Sequence, residues 1–136
     1  IRKAADPMRV AREGAADLIV VKVAPLGGVC RALEIVADCG LPAVVSSALD
    51  TSVGMAAGVA LAAALPELPW ACGLGTLALL EGDVVAEPVV PQGGVVSVQA
   101  GSPLVDEGLL ARWAAGPERV AWWTDRVAAA YAQLVG

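Results

Sequence analysis

Lys22 is the residue around which chemistry could gather. It sits in LIVVKV, residues 18–23, an otherwise unbroken aliphatic run. Short runs that are apolar on both faces read as strands buried between layers, as in a parallel sheet. An ammonium in such a strand loses hydration, which is costly unless a partner charge or a site repays it. A desolvated amine is suited to moving protons. The plainer alternative sets Lys22 at the strand's end, with its ammonium reaching into water. Two later stretches hold the other polar candidates, Ser46-Ser47-Ala48-Leu49-Asp50 and Gly73-Leu74-Gly75-Thr76.

Few other residues could share the work. The chain has no His, which removes the commonest general base and the commonest transition-metal ligand. Acid–base chemistry falls to Lys, Asp, Glu, Tyr or Cys, and any metal would be a hard, oxygen-bound ion. Cys30, Cys39 and Cys72 are odd in number and form no CxxC pair. They read as reduced, small, buried residues of a cytoplasmic protein. A nucleophilic Cys72 is disfavoured, since no histidine is present to activate it. The net charge of −5 and the lack of a basic stripe argue against nucleic acid.

The elements that must position these residues follow from the hydropathy pattern. The 136 residues suit one domain or a piece of one, and 57% hydrophobic content without Phe implies a core of Val, Leu and Ala. Ile1-Arg2-Lys3 leads into a polar helix and not a signal peptide. Asp6-Pro7 starts that helix, residues 8–13 continue it, and Gly14 ends it. Pro25 and Gly27-Gly28 predict an irregular loop after the first strand. The period of Val29, Leu33, Val36 and Ala37 predicts a helix over 29–39, stopped by Gly40. A second buried strand over 43–45 ends in Ser46-Ser47, and Asp50 and Thr51 can cap a helix over 52–65. Pro66 and Pro69 end that helix, and a third strand over about 70–72 runs into the Gly73-Leu74-Gly75 turn. The apolar run 53–65 is too short for a membrane span of ~20 residues. Its Gly54-x-x-x-Gly58 spacing reads as close packing on a sheet.

Alternating strands and helices require a parallel sheet with right-handed crossovers. Strand starts recur at the spacing expected when ~250 residues are shared among eight βα units of a barrel. An open doubly wound sheet fits the alternation too, and in both folds ligands meet the C-terminal ends of the strands. Those ends carry Lys22, the Ser46–Asp50 stretch and Gly73-Leu74-Gly75, so the polar and glycine-rich residues gather at one rim. A generic nucleotide site is weakened because the glycines do not form G-x-G-x-x-G before a helix. Beyond residue 82 the pattern changes. Val-rich pieces at 83–90 and 94–99 suggest extended segments or a hairpin, followed by helices at 105–115 and 118–134. Trp70, Trp113, Trp122 and Trp123 read as packing residues.

Three motifs, DLIVVKVAPLGG, GLPAVVSSALDTSVG and ACGLGTLALLEGDV, appear in order. They resemble the last three strands of the o-succinylbenzoate synthases of the enolase superfamily. The resemblance implies an α/β fold: the C-terminal portion of a (β/α) TIM-type barrel, about three βα units over 1–82. A tail over 83–136 would return toward the capping domain. It implies a lyase, carrying out Mg²⁺-dependent syn-dehydration of 2-succinyl-6-hydroxy-2,4-cyclohexadiene-1-carboxylate to o-succinylbenzoate in menaquinone synthesis. A racemase of N-succinyl or N-acyl amino acids and a non-catalytic fragment are the alternatives. By position, Lys22 matches the family's sixth-strand lysine, as proton acceptor or as cationic stabiliser of an enediolate. Ser46 matches the serine that contacts the substrate's succinyl carboxylate. Gly73 and Leu74 match the backbone pair that holds a carboxylate, as amide donors can. Asp50 stands where many relatives have Glu, and its plainer reading is an N-cap. The Mg²⁺ ligands are expected upstream of Ile1, so no metal site is expected in this chain. The expected partners are a small-molecule carboxylate substrate and the upstream part or a second copy, with neither nucleic acid nor membrane. Alone, the chain is expected to be inactive.

Overall fold

The computed structural model describes residues 6–135. The lead-in at Ile1-Arg2-Lys3 and the capping side chain of Asp6 lie outside the described residues. The elements alternate as the sequence predicts. Helix α1 (Asp6–Arg12), strand β1 (Ile19–Val21), a single turn of helix α2 (Val23–Leu26) and helix α3 (Val29–Cys39) come first. Strand β2 (Ala43–Val45) and helix α4 (Ser52–Ala64) follow, then a 3-10 turn (Thr76–Leu79) and helices α5 (Glu107–Arg112) and α6 (Pro117–Val135).

Strands β1 and β2 pair in parallel, Ile19 opposite Ala43 and Val21 opposite Val45. Side chains alternate along a strand, so residues 19, 21, 43 and 45 share one face. That face is buried against α3 and α4, with Ala32, Ile35, Met55 and Val59 in the same core. The other face is open, and Val20 is 42% exposed on it. The strands' apolar pattern calls for cover on both faces, and the described residues cover one.

Several expectations need correction. Residues 23–26 form a helical turn where a loop was expected. Pro25 is tolerated there because the first turn of a helix needs no amide donors, and left-handed Gly27 (φ 91°) closes it. The third strand shrinks to one parallel bridge between Ser46 and Gly73. Pro69 lacks an amide donor, and the chain makes no ladder before Gly73. In the tail, Gly93 and Gly94 take positive φ and close a tight turn bridging Gln92 to Val95. Helix α5 is shorter than predicted because Val105 bridges Val85 and Asp106 caps the helix by accepting from the Leu109 amide at 2.8 Å. The four tryptophans are 39–53% exposed rather than packed in a core. Trp113 lies against the Gly82 backbone, whereas every described residue of α6 is exposed, including Trp122 and Trp123. Of the cysteines only Cys39 is buried; Cys72 is half-buried and Cys30 exposed, and none is paired. No helix is long and apolar enough to cross a membrane among the described residues.

Candidate active site

The register of two short strands builds the site. Continuing the pairing one step beyond Val21 and Val45 sets Lys22 opposite Ser46, on the same open face as Val20. Lys22 lies just past β1, at the N-cap of α2, but its backbone is still extended (φ −128°, ψ 132°), so the alternation holds. Its half-buried ammonium donates to Ser46 Oγ at 3.1 Å and, in a short contact, to the Ser47 carbonyl. The amine is therefore held across the rim and does not simply trail into water. Ser46 Oγ also faces Gly73, where an added Cβ would lie 3.1 Å from it. Lys22, Ser46 and Gly73 thus meet at the C-terminal ends of three parallel segments.

Leu74 divides its roles. Its side chain is buried against Gly58 of α4, close enough that a Cβ at Gly58 would lie 2.8 Å away. Its amide donates no backbone hydrogen bond among the described residues, leaving a donor at the rim next to Gly73. Gly54 likewise makes room for Asp50, whose Cβ would lie 2.7 Å from a Cβ there. The small residues of the Gly54-x-x-x-Gly58 pair therefore admit the rim and not a second membrane helix.

Asp50 does not cap α4. Its carboxylate turns back to accept the Ala48 amide at 2.8 Å, in a loop reversed by the left-handed backbone of Leu49 (φ 63°). Thr51 occupies the N-cap position without capping through its side chain. The cap comes from Asp83, which accepts the Ser52 amide at 3.0 Å, the Ser52 hydroxyl in a short contact, and the Val84 amide at 2.8 Å. Sequence reasoning missed Asp83 because its partner is far away in the chain. It also left Ser47 and Thr76 without roles. Ser47 Oγ donates to the Gly73 carbonyl at 3.0 Å and accepts from Thr76 Oγ1 at 2.8 Å.

Among the described residues no cluster of three or more acidic or cysteine side chains could hold a metal ion. Asp50 and Asp83, the acids nearest the rim in sequence, are engaged by backbone amides. These residues do not fit Mg²⁺. What they can do is present a cation, a hydroxyl and a backbone amide to an anionic ligand on the open face of the sheet.

Comparison with known proteins returns the same architecture. Residues 1–104 match the family model described as enolase C-terminal domain-like. The chain is 54% identical over 135 residues to an o-succinylbenzoate synthase of Mycobacterium tuberculosis, covering 99% of the chain and 40% of that protein. It is 56% identical over 132 residues to an o-succinylbenzoate synthase of Thermobifida fusca, covering 97% of the chain and 40% of that protein. The chain thus spans about 40% of the length of the curated relatives it matches. Among solved structures, the muconate lactonizing enzyme of Pseudomonas fluorescens superposes with a TM-score of 0.74 at 29% identity, over 83% of this chain and 32% of that one. A probable mandelate racemase of Alicyclobacillus acidocaldarius gives 0.69 at 32% identity, over 85% of this chain and 32% of that one.

Proposed function

Because the chain belongs to the enolase C-terminal domain-like family, we propose that it is the part of an o-succinylbenzoate synthase that brings a lysine and the carboxylate-binding rim to the reaction. The observation that carries this reading is the Lys22–Ser46 pair at 3.1 Å on an open strand-end face. Relatives bearing that enzyme name, above 50% identical across nearly the whole chain, support it. The reaction is dehydration of the succinylated cyclohexadiene carboxylate to o-succinylbenzoate, in menaquinone synthesis. Lys22 either accepts the proton from the substrate's α-carbon or stands as the cationic neighbour of the charge that develops. Ser46 donates to the succinyl carboxylate, while the Gly73-Leu74 backbone receives a carboxylate end of the substrate. Asp50 shapes the loop that carries Ser46 and biases the electrostatics of the rim. We divide the chain into barrel units over 1–82 and a tail over 83–136 that returns toward the capping domain. Mg²⁺, which the resemblance implies, would be held by residues other than those described, as would the rest of the barrel wall. We infer a cytoplasmic location, supported by three unpaired cysteines.

The test is Mg²⁺-dependent loss of the cyclohexadiene absorbance. It compares this chain, the chain joined to the upstream part of the enzyme, and the joined chain with Lys22→Ala. Activity only in the joined form, reduced about a hundredfold to ten-thousandfold by Lys22→Ala, is the expected result. Activity in the bare chain would move the metal site into these residues. Silence in every form, with α-proton exchange on N-succinyl amino acids instead, would favour the racemase. The superposition on a probable mandelate racemase keeps that second reading in view.

A further inference from the structure

We propose that Thr76 is a positioning residue for Lys22, acting through Ser47. The proposal deepens the reading above and rests on Lys22 as the acting amine. Ser47 is 4% exposed and lies on the helix-facing side of the sheet, so its hydroxyl does not line the open face. Its oxygens hold neighbours instead. The carbonyl accepts the Lys22 ammonium, and the hydroxyl donates to the Gly73 carbonyl at 3.0 Å. The direction of the Ser47 carbonyl depends on what fixes Ser47: its amide and its hydroxyl both donate to the Gly73 carbonyl, the Ser46 hydroxyl donates to its carbonyl at 3.3 Å, and Thr76 orients its hydroxyl. Thr76 Oγ1 donates to Ser47 Oγ at 2.8 Å and accepts the Leu49 amide at 3.2 Å. It thereby ties together the two residues flanking Ala48, in a loop whose Leu49 holds a left-handed backbone unfavourable for a leucine.

The bonds form one chain. The Leu49 amide donates to Thr76, Thr76 to Ser47, and Ser47 to the Gly73 carbonyl, so each hydroxyl uses one donor and one acceptor. Removing the Thr76 hydroxyl strips Ser47 of a donor and leaves the Leu49 amide unpaired at once. The Ser47 hydroxyl then loses its orientation, and the carbonyl facing the lysine is held only through the Ser47 amide on Gly73 and the Ser46 hydroxyl, with more freedom to shift. The same relay ends on Gly73, so one hydroxyl aligns the amine and the carboxylate-binding backbone together.

The test is nuclear magnetic resonance of the Lys22 side-chain ammonium in the chain joined to the upstream part of the enzyme, assigned by its loss in Lys22→Arg. In the unaltered joined enzyme the signal is expected to be held, with slow exchange of its protons with water. Thr76→Val, which keeps the shape and removes the hydroxyl, is expected to speed that exchange about fivefold, the equivalent of one hydrogen bond. Ser47→Ala should match it, and Thr76→Ser should restore the original signal. An unmoved Lys22 signal in a folded Thr76→Val chain overturns the proposal, whatever happens to the melting temperature. So does a Lys22 signal that exchanges like free lysine before any substitution. If Thr76→Val fails to fold, Ser47→Ala breaks the same relay from its other end, and an unmoved signal there is equally decisive. No turnover is needed, so an inactive enzyme would count against the lyase reading and leave this one standing.

Discussion

Lys22 Nζ and Ser46 Oγ stand 3.1 Å apart although 24 positions separate them in the chain. Strand register brings them together, and both were legible because a polar residue closing an aliphatic run is costly without a use. The proposed role of Ser46 as a carboxylate donor has a kinetic consequence. In the assembled enzyme, Ser46→Ala is expected to raise KM about tenfold with a smaller change in kcat, since the lost bond serves bound substrate and transition state alike. Steady-state kinetics on the succinylated substrate check this, and an unchanged KM would overturn the role of Ser46 as carboxylate donor. Ser47 and Thr76 were not legible in the same way. A hydroxyl's task depends on which side of the strand it leaves and on a partner 29 positions away, and neither fact is local. Asp50 shows the converse: next to a helix start it reads as a cap, yet its carboxylate finds the Ala48 amide first.

Helix α3 begins and ends where its pattern says, between the Gly28 turn and left-handed Gly40 (φ 68°), because both of its stop signals are local. The start of α4 is different. Its capping carboxylate arrives from Asp83, 31 positions further on, and the Ser52 hydroxyl that Asp83 receives also accepts the Val89 amide at 2.7 Å. Asp83 therefore ties the start of α4 to residues 83–89. Asp83→Ala is expected to destabilise the chain by about 1–2 kcal/mol, and Asp83→Asn by less because it retains one accepting oxygen. Thermal unfolding of the two variants side by side checks the order. The third strand was overread for a related reason. Its apolar residues suit a sheet, but Trp70 and Ala71 remain exposed and only Gly73 reaches β2.

Across the whole molecule, the helix-facing side of the sheet is finished and the opposite side is not. Val20, together with the exposed apolar residues of α6 such as Val127, Tyr131 and Leu134, leaves apolar surface that water must cover. The strands' two-sided apolar pattern was legible as a demand for two layers, but a sequence cannot show which segment supplies the second. In analytical ultracentrifugation the isolated chain is expected to self-associate and to bind a hydrophobic dye. Joining the upstream part should abolish both effects. A compact, dye-free monomer would mean that α6 or the tail folds back to cover the sheet.

The borrowed cap on α4 also sets a clock. The first amide of a helix normally exchanges with solvent as soon as the end frays. Here the Ser52 amide is held by a carboxylate from another segment, and Val89 is tied to the same serine. Deuterium uptake at Ser52 and Val89 should therefore rise in step, at the rate at which the tail lets go, while the middle of α4 around Met55 and Leu61 stays protected for longer. The beginning of one helix would thus time the departure of residues that follow it by more than a whole βα unit.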